Sequence, residues 1–162
     1  MVIATIMFFA GTAVRGAGHE PLAAPSGEVV LTVGGEIDRT TDGEWALFDR
    51  AMLEQLPKTT VHTTTPWTEG EQVFDGVLFR DVMGFLGASG TLAQTLALND
   101  YLIETPVSDF MQADIIIAYR QNGNEMSVRD KGPLWVIYPD SFENPHAQER
   151  MIWQLVKVVF VK

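Results

Sequence analysis

Three short polar-aromatic turns, each placed after an expected strand, carry the residue types that could do chemistry in this chain. The first is Thr63-Thr64-Thr65-Pro66-Trp67, with three hydroxyls, a backbone fixed by proline and a broad indole face for stacking. The second is Asn99-Asp100-Tyr101, where adjacent amide and carboxylate groups stand beside a phenol ring. The third runs from Ser127 to Trp135 and places Arg129, Asp130 and Lys131 just before Gly132-Pro133. A guanidinium donates in a planar fork, and a carboxylate can accept two bonds from an amidine-like N–H edge. As a set these groups suit a flat heterocycle with a polar edge. Taken singly, the first turn is better explained as a β-branched strand end with a core tryptophan. The second alone is better explained as an ordinary Asx turn. The third is balanced between a site and an exposed charged turn.

Other chemistries are excluded or disfavoured. The chain has no cysteine, which removes thiolate catalysis and thiolate-bound metals. His19, His62 and His146 lack metal-ligand spacing, and His62 in a strand reads as a wall residue rather than a base. No Gly-x-Gly-x-x-Gly, P-loop or Gly-x-Ser-x-Gly elbow occurs. A net charge of −10, from 21 acidic and 11 basic residues, disfavours nucleic acid and anionic membrane surfaces as partners. Trp45, Trp135 and Trp153 are read as structural.

The elements that must position these turns are short. Glu28 to Val33 reads as a strand ended by Gly34-Gly35, and Asp49 as the N-cap of a helix burying Ala51, Met52 and Leu56. Thr59 to Thr64 is a β-branched strand running into the first turn. A strand through Val73-Phe74 leads by Asp75-Gly76 to a helix from Arg80 to Leu86, closed by Gly87. Leu92–Leu98 and Tyr101–Thr105 are strands split by Asn99-Asp100, and Asp114–Gln121 is a strand followed by an Asn122-Gly123 hairpin turn. Leu134–Tyr138 and Leu155–Val161 complete the set, separated by the polar stretch Asp140–Arg150. Strands dominate and βαβ alternation is poor, so the expected class is α+β with a mixed, mostly antiparallel sheet.

With 162 residues, 46% of them hydrophobic, the chain fits one domain. Residues 1–14 form an apolar run of the length of a secretory h-region, too short to span a membrane comfortably. It lacks a basic n-region, and a buried first helix or strand is the alternative. Residues 1–24 are expected to be an export leader, and residues 25–162 a single binding domain.

At its three turns the chain resembles the sulfite-oxidase-type molybdopterin-binding fold. The resemblance includes the opening strand Val29–Ile37 and extends through Phe74–Met83, Asn99–Pro106, Ile117–Gly123, Lys131–Pro139 and Ile152–Leu155. In the enzymes of that fold, a cysteine four residues before the first-turn tryptophan ligates molybdenum; here that position is Thr63. A hydroxyl is a poor substitute for a thiolate on a soft metal. The chain is more similar to small exported pterin-binding proteins with the Thr-Thr-Pro-Trp and Arg-Asp-Lys-Gly-Pro-Leu-Trp motifs. That resemblance implies a reduced pterin as ligand, no metal and no catalysis. It also implies a periplasmic location and a membrane-bound partner of cyclic-di-GMP metabolism. A molybdopterin-dependent oxidoreductase, or an interaction-only relative of one, is the alternative. The site residues implied are Thr63, Thr64, Thr65, Trp67, Asn99, Asp100, Tyr101, Arg129, Asp130 and Lys131. Trp67 or Tyr101 would stack, Asn99, Asp100 or Asp130 would face the N–H edge, and Arg129 or Lys131 would serve the carbonyl or the tail.

Overall fold

Alternating Val and Leu side chains make β1 (Val29–Gly35) and β10 (Leu155–Val161) into strands with one face in the core. They pair in parallel, Thr32 opposite Lys157. Around them, β2 (Ala46–Asp49) lies on one side, and β5 (Leu92–Ala97) and β6 (Leu102–Pro106) on the other, in the order β2-β1-β10-β5-β6. A second sheet is built from β3 (Lys58–Thr63), β4 (Gln72–Leu78) and β7 (Ile116–Gln121). The short strands β8 (Asn124–Glu125) and β9 (Trp135–Ile137) both pair with β7. This computed structural model describes residues 20–162. The apolar run at residues 1–14 lies outside the described residues. The α+β class with mostly antiparallel pairing is as expected, with β1 and β10 forming the one parallel pair among the described strands.

Three glycines read from sequence as lying beyond strands are part of them. Strand β1 continues through Gly34 and Gly35 because two partners press on it there. A Cβ on Gly34 would lie 2.4 Å from the Trp45 ring, and one on Gly35 would lie 2.1 Å from the Phe160 carbonyl. Likewise Asp75-Gly76 is part of β4, not a lead into the helix. A Cβ on Gly76 would meet the Ile117 carbonyl at 2.2 Å, so glycine here permits close strand approach at a bulge. Trp45 directly precedes strand β2, which was not anticipated.

Three helices cover the sheets. Asp49 caps α1 (Arg50–Gln55) as expected, accepting from the Met52 N–H, but Leu53 is the residue α1 buries. Ala51 is exposed, and Met52 and Leu56 are half-buried. The same carboxylate accepts from the Ser26 and Gly27 N–H groups, tying the incoming chain down. These bonds, that of Met52 foremost, hold its pKa below the usual range. Gly87, left-handed at φ 63°, closes α2 (Phe79–Leu86) as expected. Unexpected is α3 (Val107–Gln112), which starts directly after Pro106. It carries Phe110 onto Phe79, the rings stacked at 3.9 Å and 3° apart in plane. Asn122 and Gly123 take the positive φ of 50° and 80° that their hairpin needs. Among the described residues no helix is long and apolar enough to cross a membrane.

Phe110 is 1% exposed. Phe110→Ala is expected to lower the unfolding free energy by about 3–5 kcal/mol, measured by urea denaturation.

Candidate functional site

The ends of β5, β6 and β10 meet at one end of the first sheet, where Ala97 pairs with Leu155. The β5–β6 turn places Asn99 and Tyr101 there. Asp100 takes a left-handed φ of 65°, and Asn99 Oδ1 accepts from the Tyr101 N–H at 3.3 Å. The second sheet reaches the same point through Trp135, which bridges to Trp153. Trp135 is fully buried, and its indole N–H donates to the Met151 carbonyl at 3.1 Å. The turn after β3 then lays Trp67 edge-on against Trp153, with ring centroids 4.8 Å apart.

Between these groups lies a cleft of about 260 Å³. Trp67, Trp153 and Tyr101 supply its aromatic walls, and buried Met151 and Ile152 its apolar base. Asn99, Gln148 and Glu149 supply its polar groups. The size falls just below the range of about 300–1,000 Å³ usual for small-molecule pockets, and suits a single ring system. Such a cleft can stack a planar ring and pair its polar edge.

The first turn is held by its own hydrogen bonds. Thr63 is fully buried, and its Oγ1 lies 2.9 Å from Asp140 Oδ1 and 3.1 Å from the Tyr138 carbonyl. Thr64 gives Asp140 both its N–H and its hydroxyl. Thr65 Oγ1 shares a bond with the Thr68 hydroxyl and accepts from the Trp67 N–H. The hydroxyls read from sequence as ligand donors therefore shape the turn that presents Trp67. Desolvation raises the pKa of Asp140, but the donors from Thr63 and Thr64 outweigh it and leave the carboxyl below its usual range.

Of the ten residues implied by the resemblance, Trp67, Asn99 and Tyr101 line the cleft. Asp100 sits in the same turn without lining it. Arg129 and Asp130 are exposed on a 3₁₀ turn, Val128–Asp130, where Asp130 accepts from the Ser127 hydroxyl. Lys131 lies with its Nζ 5.4 Å from the centre of the Trp153 ring and 5.6 Å from that of Trp135, outside the lining. Sequence reasoning missed Gln148, Glu149, Met151 and Trp153. Trp153 was read as core, yet only Trp135 is fully buried, and Trp153 keeps part of its ring open to the cleft. Its position just before β10, at the mouth of the sheet, was the available signal.

No protein-family model matches the chain, and no curated relative matches it either. Among solved structures it is similar to the sulfane dehydrogenase SoxCD from Paracoccus pantotrophus, with a TM-score of 0.62 at 15% identity. The match covers 81% of this chain and 37% of that one, so the chain spans little more than a third of that protein's length. At this identity the likeness is one of fold. The protein has an α+β, sulfite-oxidase-like fold, distantly related in structure to a dehydrogenase.

The Asp140 latch has a pH signature. A carboxylate with a depressed folded pKa contributes at neutral pH and loses its contribution as pH falls through that value. The Thr64 amide and Trp67 indole resonances are expected to hold steady above pH ~4 and to move together below it. Asp140→Ala should produce the same displacement at pH 7, measured by ¹⁵N–¹H NMR.

Proposed function

We propose that the chain is a non-catalytic pterin-binding protein. In this reading it works in the periplasm and reports ligand occupancy to a membrane-bound partner of cyclic-di-GMP metabolism. The observation that carries the binding half is the cleft that joins the Trp67 turn to the Asn99–Tyr101 turn. A pterin offers a flat bicycle for Trp67, Trp153 and Tyr101, and an amino-pyrimidinone edge for the amides and the carboxylate.

The residues present do not fit a molybdenum centre of the kind held by a first-turn thiolate. Thr63 stands at that position, fully buried, with its hydroxyl committed to Asp140 and the Tyr138 carbonyl. Freeing it would take one donor from a turn in which the buried Tyr138 carbonyl and the Asp140 carboxylate both face that hydroxyl, and the hydroxyl would remain a poor ligand for a soft metal. This supports binding without oxotransfer. The location and the partner rest on the resemblance of the three turns to exported pterin-binding proteins.

Isothermal titration with tetrahydrobiopterin and tetrahydroneopterin is expected to give saturable binding, and protein isolated from its native host to contain molybdenum far below one equivalent. Trp67 is 41% exposed, so Trp67→Ala should retain the fold while weakening pterin binding at least about 10-fold. No heat with any reduced pterin would refute the reading, and stoichiometric molybdenum would favour an oxidoreductase.

A further inference from the structure

We infer that Glu149 reads the amino edge of the ligand and restricts the cleft to unphosphorylated pterins. The inference rests on the pterin reading above and narrows it to a ligand class. Glu149 lies on the 3₁₀ turn Gln148–Arg150, where the polar stretch after Asp140 folds back over the first sheet. Its carboxylate borders both the cleft and a shallower depression beside it. Oε2 lies 3.2 Å from His146 Nδ1, and Oε1 has no protein partner among the described residues. One oxygen is steadied by the imidazole while the other stays available to a ligand donor.

The wall that carries Glu149 is anchored. Successive residues of a 3₁₀ turn diverge by about 120°, so a neighbour of Glu149 faces elsewhere. Arg150 turns inward and pairs with Asp109 of α3, whose side chain is buried. The Tyr138 phenol shares that buried cluster, and burial, reinforced by the Asp109 charge, pushes its pKa up. The single main-chain N–H of Arg150 is shared between the His146 and Ala147 carbonyls. Glu149 is thus presented from a fixed support, as a specificity group must be.

Charge then decides the ligand class. Among the described residues that line the cleft, Glu149 is the one acidic side chain, and none is Lys or Arg. A neutral pterin gives the ring amino group to Oε1 and lies against the aromatic walls. A lumazine carries a carbonyl in place of that amino group and would set acceptor against acceptor. A phosphorylated tail would bring a dianion to a cleft lined by a carboxylate and by no Lys or Arg among the described residues, on a chain of net charge −10.

Competition titrations on the full chain test this with tetrahydrobiopterin, its lumazine counterpart, tetrahydroneopterin and tetrahydroneopterin monophosphate. The unsubstituted protein should prefer the pterin over its lumazine counterpart by about 10- to 100-fold. It should also bind tetrahydroneopterin more tightly than the monophosphate. Glu149→Gln should lose the pterin–lumazine preference, because an amide can donate as well as accept, and Glu149→Lys should reverse the order of the neopterin pair. Equal affinity for pterin and lumazine, or an unchanged preference in Glu149→Gln, overturns the role of Glu149 while leaving pterin binding intact. Failure of every pterin to bind overturns the pterin reading itself, and this one with it.

Discussion

The burial of Trp135 is the constraint on which the rest of the site depends. Its ring fills the junction of the two sheets, meeting Phe74 of β4 edge-on at 5.2 Å and the rings of Trp67 and Trp153 at 6.1 and 6.4 Å. A buried indole N–H requires an acceptor, and the Met151 carbonyl supplies it. That bond fixes the segment between the Gln148–Arg150 turn and β10. The Val136 N–H to Ile152 and Leu155 N–H to Leu134 bonds continue the same seam. The base of the cleft, Met151 and Ile152, is therefore set by the inter-sheet core. Trp67 and Trp153 cannot bury fully because Trp135 already occupies the space beneath them. Two partly open rings at the surface are the consequence, and they form the stacking walls.

The threonine run shows how one substitution redirects a turn's chemistry. A hydroxyl at position 63 can donate one bond and accept others, and here it sits within reach of a backbone carbonyl and of Asp140. Asp140 also takes the Thr64 N–H, so one carboxylate ties two successive residues of the turn. Thr65 and Thr68 then close the next step. The threonine hydroxyls of the turn are thus engaged within the protein, and Trp67 is left as the group that faces outward. A turn organised in this way presents a ring rather than a ligand atom. The electrostatic part of the latch is local and partly solvated, so it steers the turn more than it stabilises the fold.

Much of the fold was legible because its signals are local. The β-branched runs at β3 and β10, the Asp49 cap, the Gly87 stop and the Asn122-Gly123 turn each depend on a few neighbouring residues. What was misread depends on contacts across the sheets. Gly34, Gly35 and Gly76 look like breaks, but they are required by Trp45, Phe160 and Ile117, residues distant in sequence. Helix α3 has no periodic pattern long enough to detect in six residues, and it is held by the Phe110–Phe79 stack and the Asp109–Arg150 pair. The same distinction runs through the site. Trp67, Asn99 and Tyr101 stood out as turn residues of unusual type, whereas Gln148 and Glu149 lie in a polar stretch with no period. Their place in the cleft is set by Arg150 reaching Asp109, which no local pattern records.

The position of the cations follows from the same framework. Gln154, itself left-handed at φ 53°, gives its N–H to the Lys131 carbonyl and its side-chain amide to the Val128 carbonyl. The third turn is thereby fastened one residue beyond Trp153, and Lys131 comes to rest over the Trp135 and Trp153 rings. An ammonium over an indole face gains about 0.5–2 kcal/mol, enough to favour that placement over free solvent. Arg129 and Asp130 stay in water beside it. Three turns that are close in space thus divide into a cleft walled by Trp67, Asn99 and Tyr101 and a charged shoulder behind Trp153. The shoulder touches the cleft through a shared aromatic ring and contributes no donor to its interior. Stacking and hydrogen bonding to amide and carboxylate groups are therefore the interactions this cleft can offer, and they favour a neutral ring with N–H donors over an anion.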